Sequence, residues 1–333
     1  MPGSVDVQVP ESLPRPLLSL PTVMENPPTI TRSTTSVISG GVTVYANDAR
    51  YRYFGAPANS NPVGQGTLGY SSYNASRFGS SVCYSIGPWG VEFESDADEF
   101  EIVTARNAVY TYRVRIDGQW AYQECARMDA GGGFFFVRIN NGTRQLRKYR
   151  LEFSAYTPFY GLVLNSTNNN LWPPTDEFGL KVMCVGDSFT EGANGLTNAP
   201  DSPQSYSMLL GDLLGWRISA AGVSGTGYLQ VSGMAKYRDR IVQDLSSTAP
   251  PGGNWDVIII AGGINDALGG FTAEQLQAEV PLLYAAIRSV STAVNAKIVV
   301  VLPVNFNAAH HRTQAKVDAI RVGWVSTGGV AMI

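Results

Sequence analysis

The hydrophobic pattern changes character near residue 180. Before it, apolar and polar positions alternate over short runs. "VYTYRVRI" (109–116) alternates and is followed by Asp117-Gly118, a hairpin signal, after which "QWAYQ" resumes. "GGFFFVRI" (132–139) leads through Asn141-Gly142 into "RKYRLEF" (147–153), a second hairpin. Short strands at near-regular spacing, without a helical period, predict an all-β sandwich or jelly roll over residues 41–170. Trp89, Trp120 and many tyrosines fall in this region, where aromatic side chains more often pack a core than form a sugar platform.

Beyond it the apolar runs become continuous. "LKVMCVG" (180–186), "WRISAAG" (216–222), "NWDVIIIAGG" (254–263), "AKIVVVLPV" (296–304) and "GGVAMI" (328–333) predict five buried strands. Between them, residues 203–215 follow a helical period. Residues 272–294 predict a helix N-capped by Thr272, with Glu274 and Glu279 and a kink at Pro281. "RTQAKVDAIRVGWVSTG" predicts another helix and its exit. Continuous strands separated by helices mean an α/β domain over 180–333, its parallel sheet covered on both faces. Such sheets bind ligands at the carboxyl ends of their strands. Residues 171–179 read as a linker stiffened by Pro173-Pro174. Residues 1–40, with proline at 2, 10, 14, 16, 21, 27 and 28, read as an extended arm.

Composition narrows the function classes. The 333 residues carry a net charge of −3 and only 15% charged residues, with no Lys/Arg-rich run, which argues against a nucleic-acid binder. No apolar run is long enough for a membrane span, and no basic segment followed by an apolar one marks a signal peptide. The low charge and plentiful Gly, Tyr, Ser, Thr and Asn favour an extracellular, cell-surface or virion-associated protein. Of three cysteines, Cys184 reads as a small buried hydrophobe, while Cys83 and Cys125 both fall in the first half, where pairing is open and the sequence does not decide it. No Cys/His cluster has zinc spacing, so no metal site is expected. The dinucleotide-loop pattern from Gly225 and Gly227 is broken at Gln230, and the turn after the first strand of the second half lacks a P-loop Lys-Ser/Thr, so no cofactor is expected.

Three short blocks fall just past three predicted strands. They are Gly186-Asp187-Ser188, then "GVSGTG" with Gly225 after Ser224, then "GGIND" with Asn265 and Asp266. A parallel sheet would deliver all three to one edge. Taken with their order and strand context, "KVMCVGDSFTEG" (181–192), "AAGVSG" (220–225) and "GGIND" (262–266) resemble the first three blocks of the SGNH (GDSL-like) hydrolases, with Ala220 where an Asn is common. The resemblance covers about 180–333 and implies a flavodoxin-like five-stranded parallel sheet. It implies Ser188 as nucleophile, with the Ser188 N–H, the Gly225 N–H and the Asn265 side chain as oxyanion hole. Asp187 and Asp266 read as supporting or capping residues. The β domain placed before the hydrolase resembles two-domain carbohydrate esterases.

The base of the reaction is harder to place. The family supplies it from Asp-x-x-His after the fifth strand. The only two histidines here, His310 and His311, follow the fourth strand, and Asn307 and Ala308 stand three residues before them. Three readings compete. A C-terminal Asp-x-x-His segment is missing by truncation, or His310 or His311 reaches Ser188 from a neighbouring loop, or the domain has become a binding module. The implied function is a serine esterase acting on O-acyl, chiefly O-acetyl, groups of carbohydrate. Its partner would be an acylated carbohydrate or another small ester, with no nucleic acid. The alternative is a glycan-binding adhesin with an incomplete hydrolase domain.

Overall fold

The computed structural model describes residues 20–55, 87–108, 110–154, 157–165, 170–175, 179–192, 205–232, 235–247, 253–303, 311–328 and 330–332, with backbone alone at 267, 268 and 311–313.

The first half forms two antiparallel sheets. In chain order its strands are β1 (Thr29–Ser33), β2 (Val42–Tyr45), β3 (Arg52–Phe54), β4 (Trp89–Ser95), β5 (Glu99–Ala105) and β6 (Thr111–Ile116). There follow β7 (Gln119–Trp120), β8 (Ala126–Arg127), β9 (Phe134–Asn140), β10 (Arg147–Phe153), β11 (Phe159–Leu164) and β12 (Leu171–Trp172). One sheet runs β1-β9-β5-β11-β2 and the other β12-β4-β10-β6-β7, with β3 added to β4 and β8 to β6. The hairpin from β6 to β7 turns through Asp117 and Gly118, at φ 49° and 82°, both left-handed as a two-residue hairpin requires. Alternate side chains of the two sheets meet in an aromatic core of Trp89, Phe93, Phe100, Tyr149, Phe153 and Phe159, all fully buried. Trp89 and Phe153 lie 4.9 Å apart by ring centroid.

Two segments outside the predicted β region join this sandwich. β1 lies within the segment read as an arm, yet it pairs along its whole length with β9, Thr29 opposite Asn140 through Ser33 opposite Phe136. Its β-branched residues suit an edge strand, a role that a scan for proline does not reveal. β12 lies at the start of the segment read as a linker and pairs Leu171 and Trp172 with Ser95 and Glu94 of β4.

The second half is an α/β layer. It contains β13 (Lys181–Gly186), α1 (Ser188–Glu191), α2 (Tyr206–Leu214), β14 (Arg217–Gly222), α3 (Tyr237–Ser247) and β15 (Val257–Ala261). It continues with α4 (Ile264–Leu268), α5 (Ala273–Arg288), β16 (Lys297–Val301), α6 (His311–Thr327) and β17 (Val330–Met332). All five strands are parallel, in the order β14-β13-β15-β16-β17. Helices α3, α5 and α6 bury Tyr237, Ile241, Leu276, Leu283, Ile320 and Trp324 against one face. On the other face α2 sets Tyr206 and Leu210 against Val182, Cys184 and Ile218. α5 opens with a capping box, Thr272 with Gln275, and ends at Arg288, short of the predicted 294. Cys184 is fully buried, which pushes its thiol up to about 12. Cys83, considered as partner of Cys125, lies outside the described residues.

The two halves meet through charge. Arg113, Arg115, Arg150, Glu92 and Glu152 alternate with core residues on β4, β6 and β10, so they share the sheet face that looks away from the aromatic core. The α2 carboxylate of Asp212 comes to 2.5 Å from Arg115 and 3.5 Å from Arg150. Glu152 accepts from Arg115 at 3.2 Å and from Arg150 at 2.9 Å. Arg217 of β14 donates to the Tyr53 carbonyl at 2.9 Å, and Gly87 backs directly onto Ala220. The edge strand of the parallel sheet is thereby braced against the sandwich.

Candidate active site

Register fixes where the three blocks emerge. Gly186, the last residue of β13, pairs with Gly222 of β14 on one side and Ala261 of β15 on the other. The three strands therefore end level, and their following loops leave from one edge of the sheet.

The first loop is a tight strand-to-helix turn. Asp187 caps α1, its Oδ1 accepting the Phe189 N–H at 3.1 Å. Ser188 is the first residue of α1 and half-buried. A Cβ at Gly186 would stand 2.0 Å from the Thr190 hydroxyl and 2.3 Å from the Ala261 carbonyl, so only glycine lets α1 fold back over the strand end. Gly192, at φ 81°, closes the helix.

The second loop is gripped by both neighbours. Glu191, at the end of α1, accepts the Ser224 N–H at 2.8 Å and the Ser224 hydroxyl at 2.6 Å, both on Oε2. Asn265 donates from Nδ2 to the Thr226 carbonyl at 2.9 Å. Asp266 accepts the N–H groups of Tyr228, Leu229 and Gln230 at 2.8, 2.7 and 2.8 Å. Gly225 lies between the gripped residues in the left-handed region, at φ 74°. A Cβ at Gly227 would fall 1.9 Å from an Asp266 oxygen.

Beneath the edge lies a buried polar layer. The Arg240 guanidinium is fully buried and donates to the Gly186 carbonyl at 2.8 Å, the Ala221 carbonyl at 2.9 Å and Asp244 at 2.7 Å. It ties the ends of β13 and β14 together. Asp187 Oδ2 and the Tyr237 hydroxyl are buried with no hydrogen-bond partner among the described residues, and both face Gly262. Burial pushes the Asp187 carboxyl up to about 6; the Phe189 N–H opposes this and the Asp266 charge adds to it. Burial also raises Asp266, against the pull of its three N–H donors.

On the α2 side of the turn an apolar groove of about 550 Å³ runs past Phe189, Leu209, Leu213, Val299 and Pro303. Phe189 is 54% exposed.

The structure thus brings Asp187, Ser188, Gly225, Asn265 and Asp266 to one edge. His310 lies outside the described residues, and His311 opens α6 with only its backbone described. Sequence reasoning did not single out Glu191 and Arg240. Glu191 sat in the quoted first block, but nothing in its spacing marks its carboxylate as reaching the second. Among the described residues no cluster of His, Cys, Asp and Glu could hold a metal ion, and no helix is long and apolar enough to cross a membrane.

Comparison with known proteins agrees with this geometry. A sequence profile of the GDSL-like lipase/acylhydrolase family matches residues 184–325. No curated protein matches the chain at the sequence level. Among solved structures, a family two carbohydrate esterase from Cellvibrio japonicus superposes with a TM-score of 0.64 at 16% identity, over 91% of this chain and 88% of its own. The salicylyl-acyltransferase SsfX3 of a tetracycline biosynthetic pathway gives 0.63 at 14% identity, over 88% and 84%. The acetyl xylan esterase Est2A from the rumen bacterium Butyrivibrio proteoclasticus gives 0.58 at 12% identity, over 92% and 89%. At such identities the superpositions establish a shared two-domain fold. With the family profile covering all three blocks, residues 184–325 belong to the GDSL-like lipase/acylhydrolase family, the SGNH ester hydrolases.

Proposed function

We propose that the protein is a serine esterase that removes O-acyl groups, acetyl above all, from carbohydrate. The observation that carries this is the level ending of β13, β14 and β15 at Gly186, Gly222 and Ala261, which sets three loops of matching chemistry side by side. In this reading the Ser188 oxygen attacks the ester carbonyl. The oxyanion that forms is met by the N–H groups of Ser188 and Gly225 and by the Asn265 amide. Asn265 commits one amide proton to Thr226, which orients the group and leaves its second proton to donate. Each donor of this type lowers the barrier by roughly 2.7–4 kcal/mol in comparable acyl-transfer sites. Collapse of the tetrahedral intermediate breaks the bond to the sugar oxygen, and the sugar leaves as its alcohol carrying the proton lost from the Ser188 hydroxyl. Water then cleaves the acyl-enzyme to the free acid and restores the Ser188 hydroxyl. The sugar preference is supported by the two-domain likeness to carbohydrate esterases and by nothing in the site itself.

The test is hydrolysis of p-nitrophenyl acetate and of acetylated xylo-oligosaccharides by the wild type and Ser188→Ala. Acetate release that depends on Ser188 is expected from both substrates. Equal rates for the two proteins would remove the esterase reading.

A further inference from the structure

We infer that Glu191 is a positioning residue for the Gly225 N–H, acting through Ser224; this rests on the esterase reading above.

Gly225 has no side chain, so its N–H can be aimed only through the peptides on either side. Thr226, on one side, is held by Asn265 of the third block. Ser224, on the other, is held by Glu191 of the first block through both its N–H and its hydroxyl. Glu191 is 8% exposed, and a carboxylate is buried at a cost unless strong donors meet it. Two of the donors that meet it belong to the residue that precedes Gly225. The seat of Glu191 is equally specific. A Cβ at Gly222 would lie 2.1 Å from the Glu191 nitrogen, so α1 rests directly on the end of β14. That contact brings Glu191 within reach of the loop just beyond β14. The helix that presents Ser188 at its first position therefore holds the opposite wall of the pocket with its last. Nucleophile and backbone donor are set by one rigid turn of four residues.

The experiment compares Glu191→Ala, Glu191→Gln and Ser224→Ala in the full chain, using p-nitrophenyl acetate and thermal melting. Loss of aim should lower kcat by about tenfold or more, against the roughly 10²–10³ lost when a donor is removed outright, with KM within about twofold. Glu191→Gln should recover most of that loss, because its amide oxygen still accepts the Ser224 N–H. Ser224→Ala, which keeps that N–H, should cost less than Glu191→Ala. Wild-type kcat in Glu191→Ala would overturn the inference. So would equal losses in the Ala and Gln variants that track a fall in melting temperature. A separate readout needs no turnover. In protein labelled with ¹⁵N-glycine, the Gly225 amide resonance, assigned by its absence in Gly225→Ala, should move in Glu191→Ala and return in Glu191→Gln. An unmoved resonance overturns the positioning claim whatever the activity. Turnover independent of Ser188, with a resonance that moves and returns, overturns the esterase reading alone.

Discussion

Replacing Asp187 with asparagine removes one buried negative charge while keeping the shape of the side chain. The amide oxygen still caps α1 at the Phe189 N–H, and the amide nitrogen takes the place of Oδ2, which faces the Tyr237 hydroxyl across Gly262. In the wild type, burial lifts this carboxyl from its ordinary 3.8 to about 6. The folded protein thus holds the proton to a higher pH than the unfolded chain does. Its stability contribution is greatest below the unfolded value and is lost as pH rises through the folded one. At about 1.36 kcal/mol per pH unit the loss is about 3 kcal/mol between roughly pH 4 and 7. The asparagine variant carries no such slope. Urea unfolding at half-unit steps from about pH 4 to 7.5, followed by the fluorescence of the six tryptophans, should show Asp187→Asn gaining on the wild type by up to about 3 kcal/mol across that window. Asp266 shifts in the same direction but is present in both proteins, so most of its effect cancels in the difference. A difference that stays flat with pH would refute the claim that burial raises the Asp187 carboxyl.

Two further perturbations probe the layer beneath the site. Arg240→Met would take the 2.7 Å guanidinium partner from the buried Asp244 carboxylate and deprive the Gly186 and Ala221 carbonyls of their donor; a loss of about 3–5 kcal/mol in urea unfolding is expected. Gly222→Ala sets a methyl group against the Glu191 backbone, so α1 must lift from β14; about 1–3 kcal/mol of stability and most of the esterase rate should go together, read by melting and by p-nitrophenyl acetate hydrolysis.

The parallel sheet was legible because its strands are buried on both faces and so read as unbroken apolar runs, such as Val257–Ala261. The three loops were legible because turns that seat a helix on a strand end need glycine, and Gly186 and Gly222 stand where side chains have no room. α3 was missed. Its apolar residues Tyr237, Ile241 and Leu245 keep a helical spacing, but Arg240 and Asp244 lie between them, and a buried ion pair looks like a solvated face in sequence. The same holds for β6 and β10. Alternation in "RVRI" and "RKYRLEF" reveals a polar face without revealing that Asp212 and α2 cover it. Glu191 was illegible for a related reason: its partner Ser224 is set by the meeting of two strand ends, and no local spacing records that meeting.

The ionic seam between the sandwich and α2 bears on modular engineering of this architecture. Grafting a different accessory domain ahead of residue 180 would leave Asp212 facing a foreign surface, and the donor would have to bring its own matched guanidinium groups where Arg115 and Arg150 now stand. In this chain the sandwich is a custom-fitted bracket for the catalytic sheet, not an interchangeable attachment.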